Sequence, residues 1–273
     1  YLKLLIFLSG FFALNATADE KSGQAENWGV DLQTPVSTVA KDIYDMHFFV
    51  LVLMTLITLF VLGLIIWVCY RYSEDRNKKP SKTVHNTLVE ILWTAIPVLI
   101  LIVIAIPSFR LLYKADVVPE PDMTIKAIGY QWYWGYEYPD ENIIFDSYMI
   151  EEKDLQAGQP RLLAVDNVVV VPVNKVVKVL ITANDVLHAW ALPAFGVKRD
   201  AMPGRINETW FKAERLGTFY GQCSELCGIK HAFMPIEVRV VSENDYRLWL
   251  EEAKIKFAKE DIFENNKLIA SNK

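Results

Sequence analysis

Cys223-Ser-Glu-Leu-Cys227-Gly-Ile-Lys-His231-Ala-Phe-Met234 holds two cysteines, a histidine and a methionine at spacings of four, four and three. A second histidine, His188, lies upstream. Thiolate, imidazole and thioether on one short segment form a soft donor set, which favours copper over the hard cations. Two alternatives stand beside it. A Cys223–Cys227 disulfide is the default in an oxidising compartment. A structural zinc would take two cysteines and two histidines. Zinc has no need of Met234, whereas an axial Met belongs to cupredoxin-like copper sites. A mononuclear blue-copper site needs one cysteine only. Two thiolates with two histidines suit two bridged copper ions, each with one histidine and both sulfurs. The third cysteine, Cys69, sits in an apolar run and reads as a packing residue.

The elements that must carry this loop fall into distinct blocks. Tyr1–Ala18 has one early cation (Lys3), an apolar run and a small-x-small end at Ala16-Thr17-Ala18, and reads as a cleaved signal segment. Residues 19–112 form an N-terminal segment and a membrane hairpin. Its spans are the uncharged runs Phe48–Tyr70 and Ile91–Phe109, long enough to cross a hydrocarbon core. Pro97 and Pro107 are tolerable where neighbouring helices satisfy freed carbonyls. The connector 71–87 carries five cations (Arg71, Arg76, Lys78, Lys79, Lys82) against Glu74 and Asp75, which predicts a cytoplasmic loop. Both hairpin ends then face the opposite side. Trp67 and Trp93 read as interfacial anchors.

Residues 113–273 alternate short Val/Ile-rich runs with Pro, Gly, Asn and Asp. Thr124–Ile128, Val168–Val173, Val176–Thr182 and Ile236–Val241 read as strands of a sandwich or barrel. Ser242 and Asp245 open a helix, on which Tyr246, Trp249, Leu250, Ala253 and Phe257 share one face. The expected class is an α+β membrane protein. A two-helix transmembrane hairpin precedes a cupredoxin-like β domain (113–273) outside the cytoplasm that ends in a helix.

Charge adds a partner. The chain's net charge of −5 lies wholly in residues 113–273, whose 24 acids and 19 bases also sum to −5. That argues against nucleic acid. Seven acids against Lys153 alone fall between 137 and 154, a surface that attracts a basic partner at low salt. The candidate docking acids are Glu137, Asp140, Glu141, Asp166 and Asp185.

The metal segment has three companions: Val186-Leu-His188-Ala-Trp-Ala-Leu-Pro193, Lys198-Arg-Asp200-Ala-Met-Pro-Gly-Arg205 and Gly129-Tyr-Gln-Trp132-Tyr-Trp-Gly-Tyr-Glu137-Tyr. Together they closely resemble subunit II of cytochrome c oxidase. The resemblance covers nearly everything after the signal segment. Small departures, Tyr130, Arg199 and Ile229-Lys230, fall outside the ligands.

The resemblance implies a binuclear Cu(A) centre bridged by Cys223 and Cys227. His188 and His231 would each cap one copper, with Met234 and the Glu225 carbonyl as weak axial ligands. The Glu225 carboxylate would reach a magnesium or manganese ion at the boundary with subunit I. Trp132 would receive electrons from cytochrome c, Asp200 and Arg205 would face subunit I, and Glu90 would admit protons. The implied activity is that of a cytochrome c oxidase subunit, with the oxygen-reducing centre in another chain. The sequence agrees on that last point. The four histidines lie at 47, 85, 188 and 231, so the uncharged spans hold none for a haem. Implied partners are subunits I and III, cytochrome c and membrane lipid. A bacterial inner membrane is favoured by the signal segment over a mitochondrial one. A membrane-anchored copper carrier or chaperone is the alternative function, since it would share the ligands.

Overall fold

The computed structural model describes Gln24 and residues 26–257. The predicted signal segment Tyr1–Ala18 lies outside the described residues.

Two long helices come first, α1 (Thr38–Arg71) and α2 (Thr87–Asp116). At about 1.5 Å per residue they measure roughly 50 and 45 Å, against a hydrocarbon core of about 30 Å. Their uncharged windows bury nothing within the chain, so the apolar faces are left for lipid or other subunits. Both Pro97 and Pro107 lie inside α2, which continues through them. The charge-free runs end at Phe48 and Phe109, yet α1 begins ten residues earlier and α2 runs seven further. Charge ends an apolar stretch, but it does not end a helix. Ser37 caps α1, its hydroxyl accepting the Ala40 N–H at 3.0 Å. Asn86 caps α2. Its side chain accepts the Val89 N–H, and Glu90 Oε1 accepts the Asn86 N–H in return.

The extra turns of both helices lie at the same end of the hairpin, and the β domain is mounted on them. Val36 bridges two of its loops, donating to Ala194 O at 2.8 Å and accepting from Glu214 N–H at 2.9 Å. The Ser37 hydroxyl donates to Phe195 O at 2.7 Å, and Lys114 pairs with Asp42 between the helices. Arg199 reaches Asp116 at 2.5 Å, and Trp210 Nε1 donates to Lys114 O at 3.3 Å.

The β domain is a sandwich of two five-stranded sheets. In chain order its strands are β1 (Met123–Tyr130), β2 (Tyr133–Tyr138), β3 (Ile143–Ser147), β4 (Val169–Pro172), β5 (Val176–Ala183), β6 (His188–Leu192), β7 (Val197–Ala201), β8 (Asn207–Lys212), β9 (Gly217–Cys223) and β10 (Pro235–Val241). One sheet runs β3-β2-β1-β5-β8, the other β4-β10-β9-β6-β7. The β1–β5 and β4–β10 pairs are parallel and the rest antiparallel. In β5 every second residue is buried, which turns Val177, Val179, Ile181 and Ala183 inward. Trp134, Trp190, Phe195, Phe211 and Phe219 fill the space between the sheets. Burying each such ring against leaving it in water is worth about 2–3 kcal/mol.

The last helix, α3 (Glu243–Lys256), starts at Ser242, whose hydroxyl accepts the Asp245 N–H at 3.2 Å. Trp249 packs on Tyr138 and Phe257 on Phe145, with ring centroids 5.2 and 4.8 Å apart. This helix closes the end of the core away from the cysteines.

Candidate metal centre

Register brings the soft donors together. In the β6–β9 pair Trp190 lies opposite Cys223, so His188 opens β6 at the end where Cys223 closes β9. Residues 224–234 then loop back into β10 and carry Cys227, His231 and Met234 over the same end. The two-residue turn Gln131-Trp132 between β1 and β2, and the loop from β5 to β6, complete the rim.

Cys223 and Cys227 are both buried free thiols, with their sulfurs 3.8 Å apart. His188 Nδ1 lies 3.8 Å from Cys223 Sγ, and His231 Nδ1 lies 3.5 Å from Cys227 Sγ. Met234 Sδ stands 3.5 Å from Cys227 Sγ, and the Glu225 carbonyl 3.3 Å from Cys223 Sγ. His188, Cys223 and Cys227 alone present three donors within 4.8 Å of one another. Two sulfurs side by side, each flanked by one imidazole, with a thioether and a carbonyl beyond, fit two soft metal ions sharing both thiolates. The backbone holds this set from outside. The Met234 carbonyl accepts from Cys223 N–H and Trp134 Nε1, and Ser224 N–H donates to Ala189 O.

The electrostatics suit thiolate ligation. Burial opposes ionisation of Cys223, but hydrogen bonding to His188 and to the backbone at Ala189 overrides it and brings the thiol down to about 7. Burial and then the neighbouring Cys223 charge hold Cys227 well up. Burial likewise disfavours a charged His188, yet contact with Cys223 and Asp185 raises its pKa. Of the two thiols, Cys223 is the one whose surroundings favour the thiolate, the form that binds a metal.

Trp132 lies over this centre. Its Nε1 donates to Cys227 O at 3.2 Å, and Gln131 Nε2 donates to the same oxygen at 2.8 Å. The indole rests on Gly228, where an added Cβ would come within 3.0 Å of Trp132 Cζ2 and where φ is +120°. Gly129 serves His188 in the same way. A Cβ there would stand 2.7 Å from the imidazole Cδ2, so only glycine lets the ring lie against β1.

The other sequence-predicted residues are scattered. Asp200 sits on β7 opposite Ala189, and Arg205 follows in an exposed turn. Among the described residues neither side chain has an ion-pair partner. The Glu225 carboxylate is exposed on the metal loop. Glu90 lies at the opposite end of the hairpin, 3.9 Å from His85.

The docking acids fall into two groups: Glu137, Asp166 and Asp185 lie around Tyr130, Tyr133 and Tyr148, and Asp140 and Glu141 lie past the far end of β2. Glu137 is paired with Lys126 at 3.2 Å and Glu141 with Lys254 at 2.5 Å. Asp166 accepts the Tyr148 and Asn167 N–H groups, and Asp185 accepts from Gln131 and Val186. Asp140 is free of such partners among the described residues, but it lies past the far end of β2 from Trp132. Six strand residues at about 3.3 Å each make that roughly 20 Å. A contiguous acidic run in sequence is thereby split by the hairpin. On the Trp132 side lie Asp185, bonded to the Gln131 N–H, and Asp146, opposite Gly135 in the β2–β3 register. Asp146 lies beside a stack of Tyr130, Tyr133 and Tyr148 whose ring centroids are 4.7 and 4.5 Å apart. Burial, reinforced by Asp146, pushes the Tyr133 hydroxyl up to about 12. Burial and then Asp166 raise Asp146 itself.

Fold and donor set together define a cupredoxin-like domain on a membrane-spanning hairpin, with a His/Cys/Cys group suited to a soft metal. A family profile for the periplasmic domain of cytochrome c oxidase subunit II matches residues 123–241, and one for its transmembrane domain matches 25–111. The probable cytochrome c oxidase subunit 2 of Rickettsia prowazekii is 50% identical over 249 residues, 91% of this chain and 79% of the relative. Cytochrome c oxidase subunit 2 of Cereibacter sphaeroides is 46% identical over 269 residues, covering 90% and 89%. The crystal structure of the periplasmic domain of subunit II of Bradyrhizobium japonicum cytochrome oxidase is 62% identical. It covers 52% of this chain and 100% of that one, with a TM-score of 0.49. The chain belongs to the cytochrome c oxidase subunit II family. It is a membrane protein and one subunit of an oxidoreductase complex.

Proposed function

We propose that this chain receives single electrons from cytochrome c and passes them to the haem centres of subunit I, which reduces oxygen and pumps protons. The observation that carries this reading is the paired-thiol geometry. Two free thiols 3.8 Å apart, each with its own imidazole, lie beneath a tryptophan bonded to one ligand's carbonyl. Bound copper would supply one-electron redox chemistry at His188, Cys223, Cys227, His231, Met234 and the Glu225 carbonyl. The protein's part is positional. Two β-strands and a loop held to them by backbone hydrogen bonds keep the donors in place, so little rearrangement accompanies a change of charge. Trp132 supplies a short route from the surface to the Cys227 backbone. Asp200, opposite Ala189, and Arg205, in the exposed turn that follows β7, face subunit I in this reading. The exposed Glu225 carboxylate would hold a magnesium or manganese ion at that boundary.

The β domain and both hairpin ends lie in the periplasm of a bacterial inner membrane. The cationic connector 71–87 supports that orientation. Glu90 then stands at the cytoplasmic surface, where its carboxylate caps α2 and can also admit protons toward subunit I.

The test is electron paramagnetic resonance on the full chain in detergent, loaded with copper. Hyperfine structure shared by two copper nuclei is the expected result. A mononuclear copper signal, or preferred uptake of silent zinc, would overturn the reading.

A further inference from the structure

A cavity of about 400 Å³ opens between the two long helices, at the end of the hairpin that carries the β domain. Helix α1 lines it with Asp42, Asp45, Met46 and Phe49. Helix α2 lines it with Pro107, Arg110, Leu111 and Lys114. Both sets follow the spacing i, i+3, i+4, i+7, so each helix gives the groove one face over about 10 Å of its length. The Asp42–Lys114 ion pair closes the outer end. Asp45 and Arg110 come next, beside Met46 and Leu111, and Phe49 and Pro107 lie deepest.

This is the depth of a bilayer surface. Asp45 stands three residues before the uncharged run Phe48–Tyr70, and Arg110 directly follows the run Ile91–Phe109. Phe49 and Pro107 already belong to those runs, whose apolar windows bury nothing within the chain. The floor of the groove is therefore continuous with helix surface left open at membrane depth. Asp42 and Lys114 neutralise one another. Asp45 and Arg110 are exposed, and among the described residues neither has an ion-pair partner. At the edge of hydrocarbon a charge loses part of its hydration, so each gains from an opposite charge.

A zwitterionic lipid supplies both. A guanidinium takes two phosphodiester oxygens in its planar fork, and Lys114 stands one turn above it. A primary ammonium donates hydrogen bonds to a carboxylate, which a quaternary ammonium cannot do. A glycerol headgroup would leave Asp45 without a counter-charge. The acyl chains would descend past Phe49 and Pro107. Lys114 also gives its carbonyl to Trp210 of β8, so the groove lies under the join between hairpin and β domain.

We propose that this groove binds one phosphatidylethanolamine of the outer leaflet, its phosphate on Arg110 and its ammonium on Asp45. The proposal needs only that the hairpin spans the membrane, and it is independent of the metal centre.

The experiment uses the detergent-solubilised oxidase, stripped of loose lipid and titrated in turn with phosphatidylethanolamine, phosphatidylcholine and phosphatidylglycerol. A photoreactive phosphatidylethanolamine is crosslinked in competition with each, and the labelled peptides are mapped. R110Q, D45N and L111W are compared with the unchanged protein, with haem and copper content reporting assembly. The expected result in the unchanged protein is labelling of the groove residues on α1 and α2, with phosphatidylethanolamine the strongest competitor. Losing a hydrogen bond to a charged group costs about tenfold in affinity, so R110Q should weaken all three lipids by about that factor. D45N should still bind phosphate but lose the preference for phosphatidylethanolamine over phosphatidylglycerol. L111W fills the groove and should abolish labelling there. D45N is nearly isosteric and its site is exposed, so it carries the test if L111W fails to assemble. Labelling that is equal in every variant, indifferent to headgroup in the unchanged protein, or absent from these residues would overturn the proposal. So would a crosslink from the groove to another subunit, which would make it a protein interface.

Discussion

Gly129→Ala tests whether the space around His188 is as tight as the geometry says. The new Cβ would stand 2.7 Å from His188 Cδ2, 2.9 Å from Cγ and 3.1 Å from Cβ. Carbon atoms settle about 3.5–4.0 Å apart, so the ring must retreat by roughly 1 Å. It has little room to do so. Asp185 holds its far nitrogen, Trp134 lies edge-on at 5.9 Å, and the side chain is wholly buried. Overpacking of this kind costs about 1–3 kcal/mol. Charged to the metal-bound state, that is about a 5- to 150-fold loss of copper affinity, since 1.4 kcal/mol is tenfold. The assay is competitive copper titration of the full chain in detergent, with thermal melting of the metal-free form alongside. Gly63→Ala serves as the control, because a Cβ there meets nothing within 4 Å. Wild-type affinity and melting temperature in Gly129→Ala would refute the argument that β1 and the ligand ring are in forced contact.

Two further outcomes follow from the same geometry. Asp146→Asn should raise the cytochrome c KM about twofold at low salt, because two unit charges about 8 Å apart in water interact by roughly 0.5 kcal/mol. Asp140→Asn, at the far end of the hairpin, should leave KM unchanged; steady-state rates across a salt series distinguish the two. Glu237 is buried and accepts the Val165 N–H, and burial raises its pKa above the ordinary 4.5. A raised carboxyl stabilises the fold below 4.5 and loses that contribution as pH climbs through the folded value. Glu237→Gln should therefore raise the melting temperature at pH 7.5, with the gain fading toward pH 4; an equal change at both pH values would contradict it.

Not all of this was legible in the residues. Val168–Val173 and Val176–Thr182 announced their strands through β-branched runs. By contrast, β2 and β6 were hidden, for different reasons. The Tyr133–Tyr138 segment is aromatic rather than β-branched, and its Gly135 breaks the pattern. His188–Leu192 is buried at every position, so it shows no alternation. The hairpin's outer turns were also missed, because Lys41, Asp42 and Asp45 interrupt an apolar window while leaving the helix intact. Gly129 gave no signal in one dimension, since its role depends on a ring that is 59 positions away.

One dimension is enough to read the chemistry: soft donors in one short segment, two spans long enough for a bilayer, and an excess of acid confined to the outer domain. Those depend on residue type and near spacing, which the chain states directly. Folding selects which groups meet. It placed His188 beside Cys223 through the β6–β9 register, and split the acidic run by folding it over a hairpin. It also turned Asp185 inward onto a ligand. Hydrogen bonds and packing act over a few ångströms, and only folding brings distant positions within that range.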